Sequence, residues 1–379
     1  MPVPKFSISA NGVDITDRLA GSGVSMTITD GVGTRSDTLS IVLDDIDGSI
    51  AAPKTGAVLN PIGGYEGQMR DFGLFSVDSV VFTGWPQQIQ IQAKSVAAKS
   101  LTKQREPKAY PKKDFPTYGD IFADIAGRVG LSLSISDGIK ATVNVYEAQT
   151  EESSVEFMTR IGEKLNASVS VKAGHVAVVA RGDGKSATGA FLPDIIVARG
   201  KNLLSYSVTE KDEPKHSKVE ASYYDRKKNK KETVEVSTGL EGPTFSIRVP
   251  LQDKDEAERR ADSEAKKLQR SAAEASFEIN GEPFAQAGAN VIASGCRSNV
   301  DGAWLAETVT HNFSASGAYK TSISCKKPNK SGSGSGKNGS SSSSASAGKT
   351  NPAGSTPRST PQYEAGVPSL TGDPGSNIG

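Results

Sequence analysis

The first 95 residues alternate apolar and polar side chains in short runs with no helical period between them, and this pattern restricts the fold more than any other feature. Phe6, Ile8 and Ala10 share one face of such a run, as do Val24, Met26 and Ile28, then Leu39, Ile41 and Leu43, and finally Ile89, Ile91 and Ala93. A period of two puts each trio on one side of a pleated strand. Asn11-Gly12, Asp30-Gly31, Asp47-Gly48 and Gly63-Gly64 lie between the runs as turn formers. Short strands at close spacing, with no helix between them, predict a barrel or a sandwich.

A basic connector follows from Lys103 to Lys113, with Pro107, Pro111 and Pro116 in it or just after it. Thr117-Tyr-Gly-Asp120 then has the form of a capping box, and Ile121, Phe122, Ile125, Ala126 and Val129 recur at helical spacing up to a stop at Gly130. Ser153-Ser-Val-Glu156 opens a second helix with a buried stripe of Phe157, Met158, Ile161 and Leu165. Val169 and Val171, a turn at Ala173-Gly174, and Val176, Val178 and Val179 make a hairpin. Residues 115–182 therefore read as a small α+β unit.

The strand period returns from about 202, at Leu204, Tyr206 and Val208, then Val219, Ala221 and Tyr223. Asp225-Arg-Lys-Lys-Asn-Lys-Lys231 is a polar hairpin tip, with Val234 and Val236 on the far arm. A helix is predicted over 253–272, with Ala257, Ala261, Ala265 and Leu268 on one face for close packing against a sheet. Asp255–Arg259, Glu256–Arg260 and Asp262–Lys266 are i,i+4 pairs on its other faces. Four strands are predicted around 274–280, 289–294, 303–313 and 318–326. From 327 the chain turns to Gly, Ser, Pro and Asn, as in Ser331-Gly-Ser-Gly-Ser-Gly336 and Ser340 to Ser344, and offers too little apolar surface to offset chain entropy. A flexible tail is expected there, able to order on a partner.

The 44 basic and 43 acidic residues nearly cancel, so no global charge draws the chain to nucleic acid or to an anionic membrane. The N-terminal Met-Pro-Val-Pro-Lys-Phe-Ser has no apolar core of a signal peptide, and no apolar run approaches the roughly 20 residues that span a bilayer. A soluble protein folded in the cytoplasm is expected. Cys296 and Cys325 are the only cysteines, which excludes a disulfide framework. They read as buried free thiols, with a single bridge left open.

Candidate chemistry does not assemble in the sequence. His175, His216 and His311 fall in no metal-ligand spacing. Gly184-Lys185-Ser186 resembles the end of a phosphate-binding loop, but Val179 stands where that loop needs glycine. In Asp44-Asp-Ile-Asp-Gly48 the glycine comes too early for an EF-hand, and a turn accounts for the residues better. Arg181-Gly-Asp183 is too short a pattern to carry an adhesion role. Lys227, Lys228, Lys230 and Lys231 could grip nucleic acid, yet no aromatic residues are interleaved for stacking, and a solvated tip explains them. No carboxylate pair stands out as a hydrolase centre. No catalytic, cofactor-binding or metal residue is assigned, no cofactor is expected, and individual partner-contact residues stay unknown.

Taken in order, several segments resemble the phage late control D family. Ser36-Asp-Thr-Leu-Ser-Ile-Val-Leu-Asp-Asp-Ile-Asp-Gly48 and Gly73-Leu-Phe-Ser-Val-Asp78 are similar to its N-terminal part, and Glu151 to Leu165 with the hairpin after it to its middle. Asp255-Glu-Ala-Glu-Arg-Arg-Ala261 resembles its late helix, and Gly302-Ala-Trp-Leu-Ala-Glu-Thr-Val-Thr-His-Asn-Phe313 its closing strands. The resemblance covers roughly residues 4–326. It implies the baseplate hub of a contractile phage tail, related to the hub part of type VI secretion spikes.

From the resemblance comes an expected fold that is mainly β with an α+β insertion. It has a first tube-like β-barrel over 1–100, a connector and α+β domain over 101–201, a second tube-like barrel with one helix over 202–326, and the flexible tail over 327–379. The resemblance implies a homotrimer, whose six similar barrels would match a sixfold tail tube while its threefold axis matches a trimeric spike. The implied partners are the spike, a tube or tube-initiator protein, other baseplate proteins and a tape measure protein, with no direct nucleic acid and no membrane insertion. The implied location is the virion baseplate, assembled in the host bacterial cytoplasm. The chain is read as a structural protein, not an enzyme. A peptidoglycan-acting tail hydrolase and a nucleic-acid-binding regulator are the alternatives.

Overall fold

Alternation becomes strand pairing from the first residues onward. The computed structural model describes residues 3–328 apart from 20–22, 34–36, 97–104, 173–174, 183, 185–189 and 212–214. Strands β1 (Pro4–Ala10), β2 (Val13–Asp14), β3 (Ser25–Gly31), β4 (Thr38–Asp44), β5 (Val58–Tyr65), β6 (Gln68–Asp71), β7 (Phe75–Thr83) and β8 (Gln88–Ser95) are interrupted only by the short helix α1 (Thr16–Leu19). Ile8, Met26, Ile28, Leu39, Ile41, Leu43, Ile89, Ile91 and Ala93 are all buried on one face, as their spacing predicts.

The middle of the chain comprises β9 (Lys108–Pro111), α2 (Tyr118–Arg128), β10 (Ser132–Ile135), α3 (Asp137–Lys140), β11 (Tyr146–Gln149), α4 (Ser154–Lys164), β12 (Ala167–Lys172) and β13 (His175–Ala180). Both capping boxes form. Thr117 Oγ1 accepts from the Asp120 amide at 3.3 Å while the Asp120 carboxylate accepts from the Thr117 amide at 2.9 Å. Ser153 and Glu156 exchange the same pair of bonds at 3.3 and 2.7 Å. The helices lay Phe122, Ile125, Phe157 and Ile161 against Val169, Val176 and Val178 of the small sheet β10-β13-β12, making a separate core.

The last part holds β14 (Ile195–Ala198), β15 (Leu203–Glu210), β16 (Lys218–Asp225), β17 (Lys230–Ser237), β18 (Thr244–Ser246), α5 (Lys254–Ser271), β19 (Ala273–Asn280), β20 (Asn290–Ser294), β21 (Gly302–Phe313) and β22 (Tyr319–Lys326). Helix α5 starts at Asp253, whose side chain accepts from the Glu256 amide at 2.8 Å. Its Ala257, Ala261, Ala265 and Leu268 are buried against Val219, Ala221 and Tyr223 of β16, in the three-stranded sheet β17-β16-β18. Small side chains allow that close approach.

The fold is mainly β with an α+β insertion, but the two tube-like β-barrels expected over 1–100 and 202–326 do not form. One sheet of fourteen strands runs β15-β19-β22-β21-β3-β4-β8-β7-β5-β1-β2, with β6 beside β5 and the β20–β14 pair beside β21. No sheet among the described residues closes on itself. The cause lies in β21, which is twelve residues long. Its first residues pair with β20, and from Thr308 to Phe313 that same side pairs with β3 while the other holds β22. A register shift at Ala306–Thr308 separates the two stretches. The backbone groups that could close either strand set are thereby used to join the two sets.

Gly63-Gly64 is also not a turn. Both glycines lie inside β5, where a Cβ on Gly63 would stand 2.5 Å from the Phe313 ring and one on Gly64 would meet the Gln68 carbonyl. Glycine inside a strand here marks a close approach by neighbouring groups. The turn at Ala173-Gly174, residues 103 and 104 of the connector, and the tail from 329 lie outside the described residues.

Candidate assembly interface

An open sheet leaves its end strands with unused backbone donors and acceptors, and those edges are where another chain can pair. Among the described residues, strand β15 ends the sheet and pairs only with β19. It reads Leu-Leu-Ser-Tyr-Ser-Val-Thr-Glu, without the proline or lysine that usually blunts an edge, and its Leu204 and Tyr206 are exposed. Strand β7 offers a second edge. It pairs with β5 only at Phe75 and Ser76, so from Ser79 to Thr83 it has β8 on one side and no described strand on the other. Val81 and Phe82 are exposed on that stretch, and Trp85 in the following turn is 84% exposed.

Between these edges the sheet is locked at the junction of β21 and β3. Phe313 stacks on Tyr319 with centroids 4.1 Å apart, Phe72 packs on His311 at 4.9 Å, and the Tyr319 hydroxyl lies 2.8 Å from His311 Nδ1. Arg70 donates to the carbonyls of Pro283 and Ala285 at 3.0 and 2.7 Å, tying β6 to the loop before β20. Burial, aided by the nearby Arg70 guanidinium and resisted by Asp30, pushes the His311 pKa down to about 4, so the ring is neutral.

A second junction joins the α+β unit to α5. The Lys164 ammonium bridges Glu147 at 2.9 Å and Glu256, while Tyr118 donates to Glu147 at 3.0 Å and Arg160 reaches the same carboxylate at 3.2 Å. Burial alone would lower the Lys164 pKa, but Tyr118 and the two carboxylates outweigh it and hold it above the usual lysine range. The Tyr118 hydroxyl is pushed up to about 12, first by burial and then by Glu147. Glu256 is thus engaged by another helix, whereas Asp262 and Lys266 make their i,i+4 pair at 2.7 Å.

The residues weighed for chemistry are scattered. His175 lies on β13 beside Ser132, His216 stands before β16 near the Pro243 carbonyl, and His311 is in the locked junction. Among the described residues no group of three His, Cys, Asp or Glu side chains could hold a metal ion. Cys296 and Cys325 are free thiols, the first half-buried and the second buried. Asp45 and Asp47 accept bonds from Ile50 and Ser49 within a turn. Lys228 and Lys230 are paired with Glu232 at the β16–β17 tip. Asp183, Lys185 and Ser186 lie outside the described residues. A cavity of about 190 Å³ between β12–β13 and the β3–β21 junction is lined mainly by small side chains such as Ser168, Ser170, Ala177 and Gly288. No helix among the described residues is long and apolar enough to cross a membrane. The β7 and β15 edges were not singled out from the sequence. The unbroken apolar run Val80-Val81-Phe82 before an exposed Trp85 was the available signal.

No family model matches the chain. A probable baseplate hub protein of Escherichia phage 186 is 28% identical over 357 residues, spanning 83% of this chain and 90% of the relative. That of Escherichia phage P2 is 31% identical over 197 residues, 52% of this chain and 50% of the relative. The fold is similar to that of the 43 kDa tail protein of prophage MuSo2 from Shewanella oneidensis, with a TM-score of 0.66 at 13% identity, covering 85% of this chain and 98% of that one. The two sequence relatives agree with the ordered late control D segments: the chain is similar to phage baseplate hub proteins, and its fold to that of a prophage tail protein.

Proposed function

We infer that this chain is the structural hub of a contractile tail's baseplate, joining the tail tube to the central spike. The observation that carries this reading is similarity to a hub protein along nine-tenths of that relative's length. The role is structural rather than catalytic. It is a component of the phage tail, and its assembly would take place in the host bacterial cytoplasm.

The hub works as a homotrimer. Supporting this, each copy has one unprotected edge at β15 and another at β7, and two different edges on one chain suit head-to-tail contact that closes into a ring. The β15 edge of one copy pairs with the Ser79–Thr83 edge of the next, satisfying backbone groups that a lone chain leaves to solvent. The trimeric spike, a tube or tube-initiator protein, other baseplate proteins and a tape measure protein are its partners. Light scattering on the purified chain, alone and with the spike, tests this. A trimer that gains the mass of a bound spike is expected, and a monodisperse monomer that ignores the spike would count decisively against it.

A further inference from the structure

The register of the large sheet sorts its connections into two ends. Asp44 pairs with Gln88, Phe313 with both Met26 and Tyr319, Asn280 with Lys320, and Leu203 with Ile279, so the turns after β4, β7, β19 and β21 gather at one end. At the other, Ser95 pairs with Phe75 and Glu210 with Ala273. Both inserted units, the one after β8 and the one between β15 and β19, therefore leave from that second end. Among the described residues, the first end carries turns, loops and the short helix α1 but neither inserted unit.

Two adjoining turns at that end carry an apolar cluster and a one-signed charge. Trp85 and Ile46 are 84 and 78% exposed. The turns bearing them touch, since the Asp45 amide donates to the Gln87 carbonyl at 3.0 Å. Asp44 and Asp47 stand in the same turns, and Ser49 hydrogen bonds hold the Asp47 carboxyl below its ordinary pKa and so charged. No lysine or arginine occurs in residues 44–53 or 79–93. An isolated monomer gains nothing from two large apolar side chains held out in water beside carboxylates, and such a group marks a contact surface.

We propose that this rim, with Trp85 as its anchor, is the docking surface for the tube-side partner, a ring whose facing surface offers an apolar pocket flanked by lysine or arginine. The proposal rests on the hub reading above. Negative charge with no cation in the two turns sets the sign of the complement, and a buried indole needs an apolar socket. A second ring can seat against an end free of inserted units, whereas those units crowd the opposite end.

The test uses the full chain with the purified tail tube protein and, separately, the purified spike protein of the same particle. Trp85→Ala is expected to weaken binding of the tube protein at least tenfold, and Asp47→Lys to weaken it and reduce its sensitivity to salt. Spike binding, oligomeric mass and melting temperature should stay as in wild type for both. Unchanged tube binding in both variants overturns the rim assignment, and so does loss of spike binding instead. A Trp85→Ala chain that fails to fold leaves Asp47→Lys to decide. A wild-type chain that binds neither protein overturns the hub reading itself.

Discussion

Gly63 lies against the ring of Phe313, so that a single added methyl would sit 2.5 Å from its Cζ. The same ring is stacked on Tyr319 at 4.1 Å and cannot retreat on that side. Gly63→Ala should therefore destabilise the protein by about 1–3 kcal/mol, the usual cost of overfilling a packed core. Denaturant unfolding measures it, and a variant as stable as wild type would show that the junction yields.

Lys164→Met would leave the buried Glu256 without its cation and Glu147 with Arg160 alone. Breaking such a pair from one side costs about 3–5 kcal/mol. Adding Glu256→Gln should restore part of the loss, and an unfolding curve for each variant checks both statements.

The same site fixes a pH dependence at the alkaline end. The folded state holds the Lys164 and Tyr118 protons more tightly than the unfolded chain, whose ordinary values are 10.5 and 10.0. Their contribution is fully present below pH 10 and disappears as pH rises through the higher folded values. Melting temperature should fall above pH 10, and less steeply in a Tyr118→Phe variant.

His311 acts at the opposite end of the scale. Its folded value of about 4 lies below the ordinary 6.5, so the unfolded chain takes up the proton first. Stability should decline as pH drops from 6.5 to 4, at up to about 1.4 kcal/mol per pH unit. Thermal melts of wild type and His311→Gln across that interval would reveal it as a slope that the variant lacks.

Tyr206→Lys places a charge on the exposed β15 edge. If that edge joins neighbouring copies, the variant should keep its fold and lose its oligomeric mass by light scattering. An intact trimer would move the contact elsewhere.

Local signals in the sequence were legible where the physics is local. Thr117 and Ser153 mark helix starts because capping needs only three or four neighbouring residues. The alternation from Phe6 to Ala93 identifies the buried face, since side-chain direction in a strand has a fixed period. The unreadable part depended on distant partners. Nothing near Thr308 announces that β21 will take β3 as a neighbour, and so the joined sheet stood hidden behind the barrels that the family resemblance implied. Gly63 and Gly64 look like a turn until Phe313 is seen beside them. Glu256 reads as a partner for Arg260 until Lys164 arrives from another helix. For the assembly site, the apolar run Val80-Val81-Phe82 gives a composition cue, but which edges remain open follows only from the completed strand order.

Thr27 and Asn312 hydrogen-bond across β3 and β21, although 285 residues separate them. At ribosomal speeds of about 5–20 residues per second, roughly 15–55 s pass between the synthesis of one and of the other. During that wait β3 exposes a pairing edge on every nascent chain. Crowded polysomes making many copies at once would set such edges side by side, so the seam that stiffens the finished molecule is also its period of greatest exposure to mispairing.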